Sequence, residues 1–287
     1  MFSTIIDGLS LGAIYALIAL GYTMVYGIAK MLNFAHGDII MVGAYTIFTS
    51  LLIKNSAVSI ILSIALPMIL CTLLGIAVER TAYRPLRGAS PLAVLITAIG
   101  VSYLLQGFAQ LIFGATPENV DFKIPGNIGS LNVYTIVTLI VTAIIMISLT
   151  LFVKYTKTGR AMVAVSEDRD AAALMGINVN KIITVTFAIG SALAACASIF
   201  YLMQIPKVSP TFGAMPGIKA FTAAVIGGIG SIPGAMLGGV LLGLIENISK
   251  SIPALAPYTA SIEFSLLIII LLVKPSGLLG KKRNEKV

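Results

Sequence analysis

Along most of this chain apolar residues run on with few interruptions. Uncharged stretches cover 8–29, 55–78, 88–117, 124–153, 182–206 and 220–245, and each reaches the roughly 20 residues that a helix needs to cross a bilayer. The stretch 39–53 is shorter and becomes a span once residues near His36 are counted in. The last stretch, 264–273, needs Tyr258 to Glu263 to reach full length. Alternating ten-residue segments, the mark of a membrane barrel, are not visible. Lipid offers backbone N–H and C=O groups no water, so each span must satisfy them internally, as a helix does. The pattern predicts an all-α, polytopic helical membrane protein of about eight to nine transmembrane or re-entrant helices. It reads as a single transmembrane domain, 1–287, with Met1–Ala29 as a retained first helix.

The pattern breaks between Pro206 and Pro257, where parity requires the chain to start and end on one side. Phe221–Ile229 is short for a crossing, and Gly230 and Pro233 follow it. One reading is a re-entrant pair over 220–249, with a Gly/Pro turn at membrane depth. The other is two crossings, the first extended back to about Gly213. Gly227, Gly228, Gly230, Gly234, Gly238, Gly239 and Gly243 crowd this segment. Spacings of four place small residues on one helical face and let backbones approach, and Gly8, Gly12 and Ala16 make a similar face on the first helix. Such a cluster serves tight packing, or a moving, pore-lining core in which Gly227, Gly228 and Gly230 are the candidates.

A polar island, Lys154–Lys181, interrupts the apolar runs. Ser166 is a candidate N-cap; Glu167, Asp168 and Asp170 suit the positive end of a helix dipole. Ala171 to Met175 favour helix and Gly176 suits a left-handed C-cap. A helix this short is unstable alone in water and needs a surface to dock against.

Charge then orients the spans. The chain is 58% hydrophobic and 10% charged with a net charge of +8, far from the roughly 25% charged residues of soluble domains. If Lys30, the loop 79–90, the island and the tail after Val273 share one side, that side holds fourteen of the 19 basic residues. Lys54, Lys123, Lys207, Lys219 and Lys250 fall on the other. The positive-inside rule makes the first side cytoplasmic, with the amino terminus outside and Lys281-Lys-Arg283 inside. The positive charge is then topology and attraction to anionic membrane lipid, and no nucleic-acid module accompanies it.

Candidate chemistry is sparse. One histidine and two cysteines, Cys71 and Cys196 in mid-span, give no metal cluster and no disulfide framework. Gly8-Leu-Ser10-Leu-Gly12 matches a nucleophile elbow, but it lies inside a continuous helix and not on a strand–turn–helix. No GxxxxGK[ST] loop occurs, so the chain itself has no ATP site of that kind. Asn33-Phe-Ala-His36-Gly-Asp38 lies where the first helix turns back. Asn33 or Asp38 caps the next helix there, or Asn33, His36 and Asp38 line a pathway, since polar groups inside a membrane are costly and often functional. Glu246 and Glu263 either snorkel, pair with Lys250, or meet a substrate ammonium.

The run from Gly8 through Tyr15, Gly21 and Tyr26 into Asn33-Phe-Ala-His-Gly-Asp38 resembles the branched-chain amino acid ABC importer permeases of the LivH type. So do Glu79-Arg-Thr-Ala-Tyr-Arg-Pro-Leu-Arg87, Ala224-Val-Ile-Gly-Gly-Ile-Gly230-Ser-Ile-Pro-Gly234 and Lys274-Pro-Ser-Gly-Leu-Leu-Gly280. The resemblance covers nearly the whole chain. It implies a multi-pass subunit of the bacterial plasma (inner) membrane, non-enzymatic and without a cofactor of its own. It also implies a second, related permease, two cytoplasmic ATPases that bind ATP and Mg, and an extracytoplasmic amino-acid-binding protein. It makes the island a coupling loop, with Ser166, Glu167, Asp168, Arg169, Ala172, Leu174, Met175 and Gly176 at the ATPase contact. Ala172, Leu174, Met175 and Ile177 are its expected apolar surface. The acidic Glu167 stands apart from Ala171–Ala173, where the family's coupling helix carries Glu-Ala-Ala. The implied cargo is Leu, Ile and Val. Related permeases carry urea or short amides, and a stand-alone secondary transporter is the reading from another class.

Overall fold

The computed structural model describes residues 2–53, 56–122, 126–128 and 131–280. Lys54, Lys123 and the Lys281-Lys-Arg283 tail, which enter the charge count, lie outside the described residues. Among the described residues the helices are α1 (Phe2–Ala29), α2 (His36–Leu51), α3 (Ser56–Val78), α4 (Pro91–Phe113), α5 (Val133–Tyr155), α6 (Lys157–Glu167), α7 (Arg169–Leu174), α8 (Val179–Gln204), α9 (Ala214–Gly227), α10 (Ile232–Ser251) and α11 (Thr259–Val273). A π-helical turn, Glu79–Tyr83, extends α3. Strands are two residues long: β1 (Glu118–Asn119) pairs antiparallel with β4 (Lys207–Val208), and β2 (Asn127–Ile128) with β3 (Leu131–Asn132). Among the described residues seven helices are long and apolar enough to cross a membrane: α1, α3, α4, α5, α8, α10 and, with the turn that begins at Ala256, α11. This is the polytopic helical membrane protein that the hydropathy pattern predicts.

α1 is apolar on every side because it is enclosed by protein. It packs along α10 and α8, and Ile14, Ala16, Leu17, Ile18 and Leu20 are fully buried. α3, α4, α5 and α11 sit outside and turn side chains such as Ile61, Leu111, Ile144 and Leu272 outward, as lipid-facing helices do. The glycine faces do what their spacing predicts. A Cβ on Gly12 would lie 2.8 Å from the Val240 Cα; one on Gly239 would overlap Ala16, and one on Gly243 would overlap the backbone of Gly12. Neither backbone can rotate away, so Gly243→Val must push α1 and α10 apart. We expect a loss on the order of 3 kcal/mol or more, read as thermal unfolding of the purified protein. Gly100→Ala, with nothing within 4 Å, should leave the transition unmoved.

Contacts between helix ends define two faces. On one, Arg169 reaches the carbonyls of Ile28 and Ala29, Arg87 bonds Asn180, and Gly27 lies beside Gly230. Leu278 and Leu279 donate to Ile226 O and Gly227 O at 2.8 and 2.9 Å, bringing the segment after α11 to the same face. The opposite face holds the β1–β4 pair and the Thr135–Asp7 bond of 3.1 Å. Lys30, the loop after α3, the island and Lys274 thus meet on one face, as the charge count assumed. Lys219 does not belong to the other face's loops. It is buried within α9, a correction to that count.

The two shorter helices share a construction. α1 ends at Lys30, a non-glycine residue at φ 51°. An irregular stretch then turns back alongside it, and α2 starts at His36, whose ring lies against Gly21. Gly21 is eight residues short of the α1 end, about 12 Å in from the island face. After α8 the chain forms the short β4 and then returns without regular structure to Gly213, and α9 starts at Ala214 beside Gly37, the second residue of α2. Each unit is a long helix, an irregular return and a half-helix, and the two run oppositely across the membrane, as inverted repeats do. The Gly/Pro turn expected at membrane depth lies instead at the island-face end of α1, through the Gly27–Gly230 contact. What sits at depth is the pair of half-helix starts, and α9 begins where the two-crossing alternative placed it, next to Gly213.

Candidate functional site

The island folds into two helices. Thr156 opens α6, its hydroxyl accepting from Gly159 N at 2.9 Å, so α6 runs on to Glu167 and Ser166 is inside it, donating to Val163 O. The expected Ser166 cap is therefore replaced by Asp168, whose Oδ1 accepts from Asp170 N and Ala171 N, both at 2.9 Å. α7 is shorter than the two to three turns expected. Gly176, at φ 82°, closes it as the left-handed C-cap, and Ile177 N donates back to Ala172 O at 3.0 Å. Ala172 is buried and anchors the helix, so it is not part of a docking surface. Leu174 and Met175 are 89% and 83% exposed and form the apolar tip. Arg169 ties α7 to the α1 carbonyls; partial burial and the neighbouring Arg87 lower its pKa from the usual value, though an arginine stays charged there. In the π-turn, buried Glu79 pairs with Arg87 and accepts from Thr184 at 2.8 Å.

At the half-helix junction Asn33 is buried and caps nothing; its Oδ1 accepts from the Tyr83 hydroxyl at 2.8 Å. His36 is buried edge-on to Tyr22, ring centroids 4.7 Å apart. Asp38 also caps nothing: it accepts from Gln106 Nε2 at 2.8 Å, and that nitrogen lies 3.2 Å from Ser102 Oγ. Asn33, His36 and Asp38 are thus all buried around the start of α2, each against a different partner. Gly227, Gly228 and Gly230 are not with them. They form the α9–α10 turn, where Gly228 (φ 107°) packs against Gly280. A cavity of about 340 Å³ opens beside the junction, lined by Phe34, Ala214 and α4 residues that include Ser102 and Gln106.

A second polar cluster was not legible as one. Lys219 Nζ lies 2.8 Å from Glu246 Oε1 and 3.2 Å from Glu263 Oε2, while Lys250 pairs with Glu246 at 2.6 Å. The Tyr15 hydroxyl donates to Glu246 Oε2 at 2.7 Å. The Glu246–Lys250 pairing agrees with one expectation; snorkelling does not, since Glu246 and Glu263 are 2% and 0% exposed. Three helices converge on one lysine. The signal was a solitary cation between the apolar residues of 214–229.

Compared with known proteins, residues 4–273 match the family described as the permease component of the branched-chain amino acid transport system. The chain belongs to that family. It is 43% identical to the high-affinity branched-chain amino acid transport system permease protein BraD of Pseudomonas aeruginosa, over 99% of this chain and 97% of that one. It is 40% identical to the corresponding LivH of Escherichia coli K12, over 98% and 96%. The fructose import permease protein FruG of Bifidobacterium longum is 25% identical over 67% of this chain and 61% of that one. No solved structure matches. As a member of this ABC permease family the chain is a multi-pass inner-membrane protein, and its relatives are permease components of transport systems.

Proposed function

We propose that this chain is the translocating subunit of an ABC importer that moves Leu, Ile and Val on ATP hydrolysed by partner subunits. α7 carries the reading. Six residues make a helix too short to stand alone, yet it is capped at both ends, fastened to α1, and turns Leu174 and Met175 outward. That is the form of a contact for another protein. On this reading the island face is cytoplasmic, and two ATPases holding ATP and Mg press on Asp168, Arg169, Leu174, Met175 and Gly176, with Ser166 and Glu167 at the approach. The chain needs no cofactor of its own. A second, related permease completes the path, and an extracytoplasmic binding protein delivers the amino acid. Asn33, His36 and Asp38 stand at the path. Gly227, Gly228 and Gly230 form the turn through which α9 and α10 follow α7.

The test is reconstitution with the second permease, both ATPases and the binding protein in proteoliposomes. Leucine uptake should require ATP and both ATPases. Uptake undiminished without the ATPases would favour a stand-alone secondary transporter and overturn the proposal. The 25% identity to a fructose permease favours a second reading of cargo, a sugar or another small uncharged solute, which ligand binding to the partner binding protein decides.

A further inference from the structure

We infer that the cavity beside the α2–α9 junction is a subsite for the ammonium group of an amino acid, with Asp38 as its counter-charge. This rests on the importer reading and deepens it, because it names the group recognised and the residues that recognise it.

Asp38 lies in the first turn of α2 and is 2% exposed. Its partner Gln106 is on α4, one turn beyond Ser102, the midpoint of Pro91–Phe113. A carboxylate at that depth is costly unless a cation balances it. The other buried carboxylates have one: Glu79 has Arg87, and Glu246 and Glu263 share Lys219. Among the described residues Asp38 has no cation within ion-pair distance. It is held by the Gln106 amide, and that amide also reaches Ser102. A neutral frame holds the acid in place and leaves its charge unbalanced, which is the arrangement a transient cation requires.

Gln106, which holds Asp38, and Ser102 line the cavity, with Leu95, Ile99 and Phe34 forming the apolar part of the wall. A volume of about 340 Å³ lies at the small end of the range for ligand pockets. The chemistry is divided as a branched-chain amino acid is divided. Hydroxyl and amide, backed by the carboxylate, suit the ammonium; the aliphatic and aromatic wall suits the side chain. Gln106 Nε2 is committed to Asp38 and Ser102, so the Gln106 Oε1 is left to accept from an arriving ammonium.

The test uses the complete complex, without nucleotide, in proteoliposomes. Ser102→Cys is placed in a Cys71→Ala, Cys196→Ala background and labelled with a small membrane-permeant thiol reagent. The probes are L-leucine, 3-methylbutylamine, which lacks the carboxylate, and 4-methylpentanoate, which lacks the ammonium. Leucine and the amine should protect the thiol and the acid should not. Adding Asp38→Asn should raise the protecting concentration about tenfold or more, the scale of one lost charge-assisted hydrogen bond. Ile99→Cys reads the same cavity if the first reporter fails to assemble. Equal protection by 4-methylpentanoate overturns the inference. So does protection unchanged by Asp38→Asn, protection by sodium or potassium alone, or none by either amine. Binding-protein-stimulated ATP hydrolysis by the wild-type complex separates the two failures. Its absence removes the importer reading and the subsite with it; its presence without protection removes the subsite alone.

Discussion

Leu174→Asp is expected to abolish uptake while leaving the subunit folded and in the membrane. The side chain is 89% exposed, and substitutions at such positions usually change stability by within about 0.5 kcal/mol. Its loss therefore costs this chain nothing internally. Against a partner it is different, because an apolar tip seated in a groove is where a small contact concentrates its energy. Losing about 2 kcal/mol there, and burying a carboxylate besides, lowers coupling about 30-fold or more. The readouts are leucine uptake per assembled complex and the amount of ATPase that co-purifies. Ala172→Asp gives the contrast. Ala172 is buried, so a charge there should loosen α7 itself, and thermal unfolding should register it. Wild-type uptake by Leu174→Asp would leave α7 without its assigned role.

What could be read from the sequence followed from the physics of lipid. The long spans were legible because a bilayer tolerates few charges along a crossing helix: the uncharged stretch 55–78 became Ser56–Val78, and 182–206 became Val179–Gln204. The glycine faces of α1 and α10 were legible because close packing needs small residues at a fixed spacing, whatever the rest of the fold. The half-helices were not. α2 and α9 are short because an irregular return supplies the rest of each crossing, and a return buried among other helices is as apolar as a helix. The hydropathy of 39–53 and 220–245 therefore suggested a short span and a re-entrant loop.

The island was located correctly and capped wrongly for a related reason. Ser166 and Asp168 are equally good caps in isolation. Thr156 opens α6 ten residues earlier, and a helix already running absorbs Ser166 into its last turn. At the junction, Asn33 and Asp38 had two roles open, cap or pathway. The capping role fell away only when Tyr83 and Gln106 were found as their partners, on helices that no local pattern connects. Long-range polar pairs are the part of a membrane fold that a span-by-span reading does not reach.

Lys219 is the clearest such case, and its removal should be the most damaging single change inside the bundle. Lys219→Met leaves Glu263 fully buried without a cation, while Glu246 keeps Lys250 and the Tyr15 hydroxyl. Breaking a buried pair from one side typically costs about 3–5 kcal/mol, because it strands a charge in a medium of low dielectric. The cluster balances, with two lysines against two glutamates, so the damage should lie in the imbalance and not in the lost contact. Lys219→Met with Glu263→Gln removes one charge of each sign and should recover most of the stability. Thermal unfolding of the single and double variants in the same detergent measures the difference. Equal losses in both would mean that Lys219 holds α9 to α10 by packing alone. Recovery would identify α9 as a half-helix pinned from the side by charge.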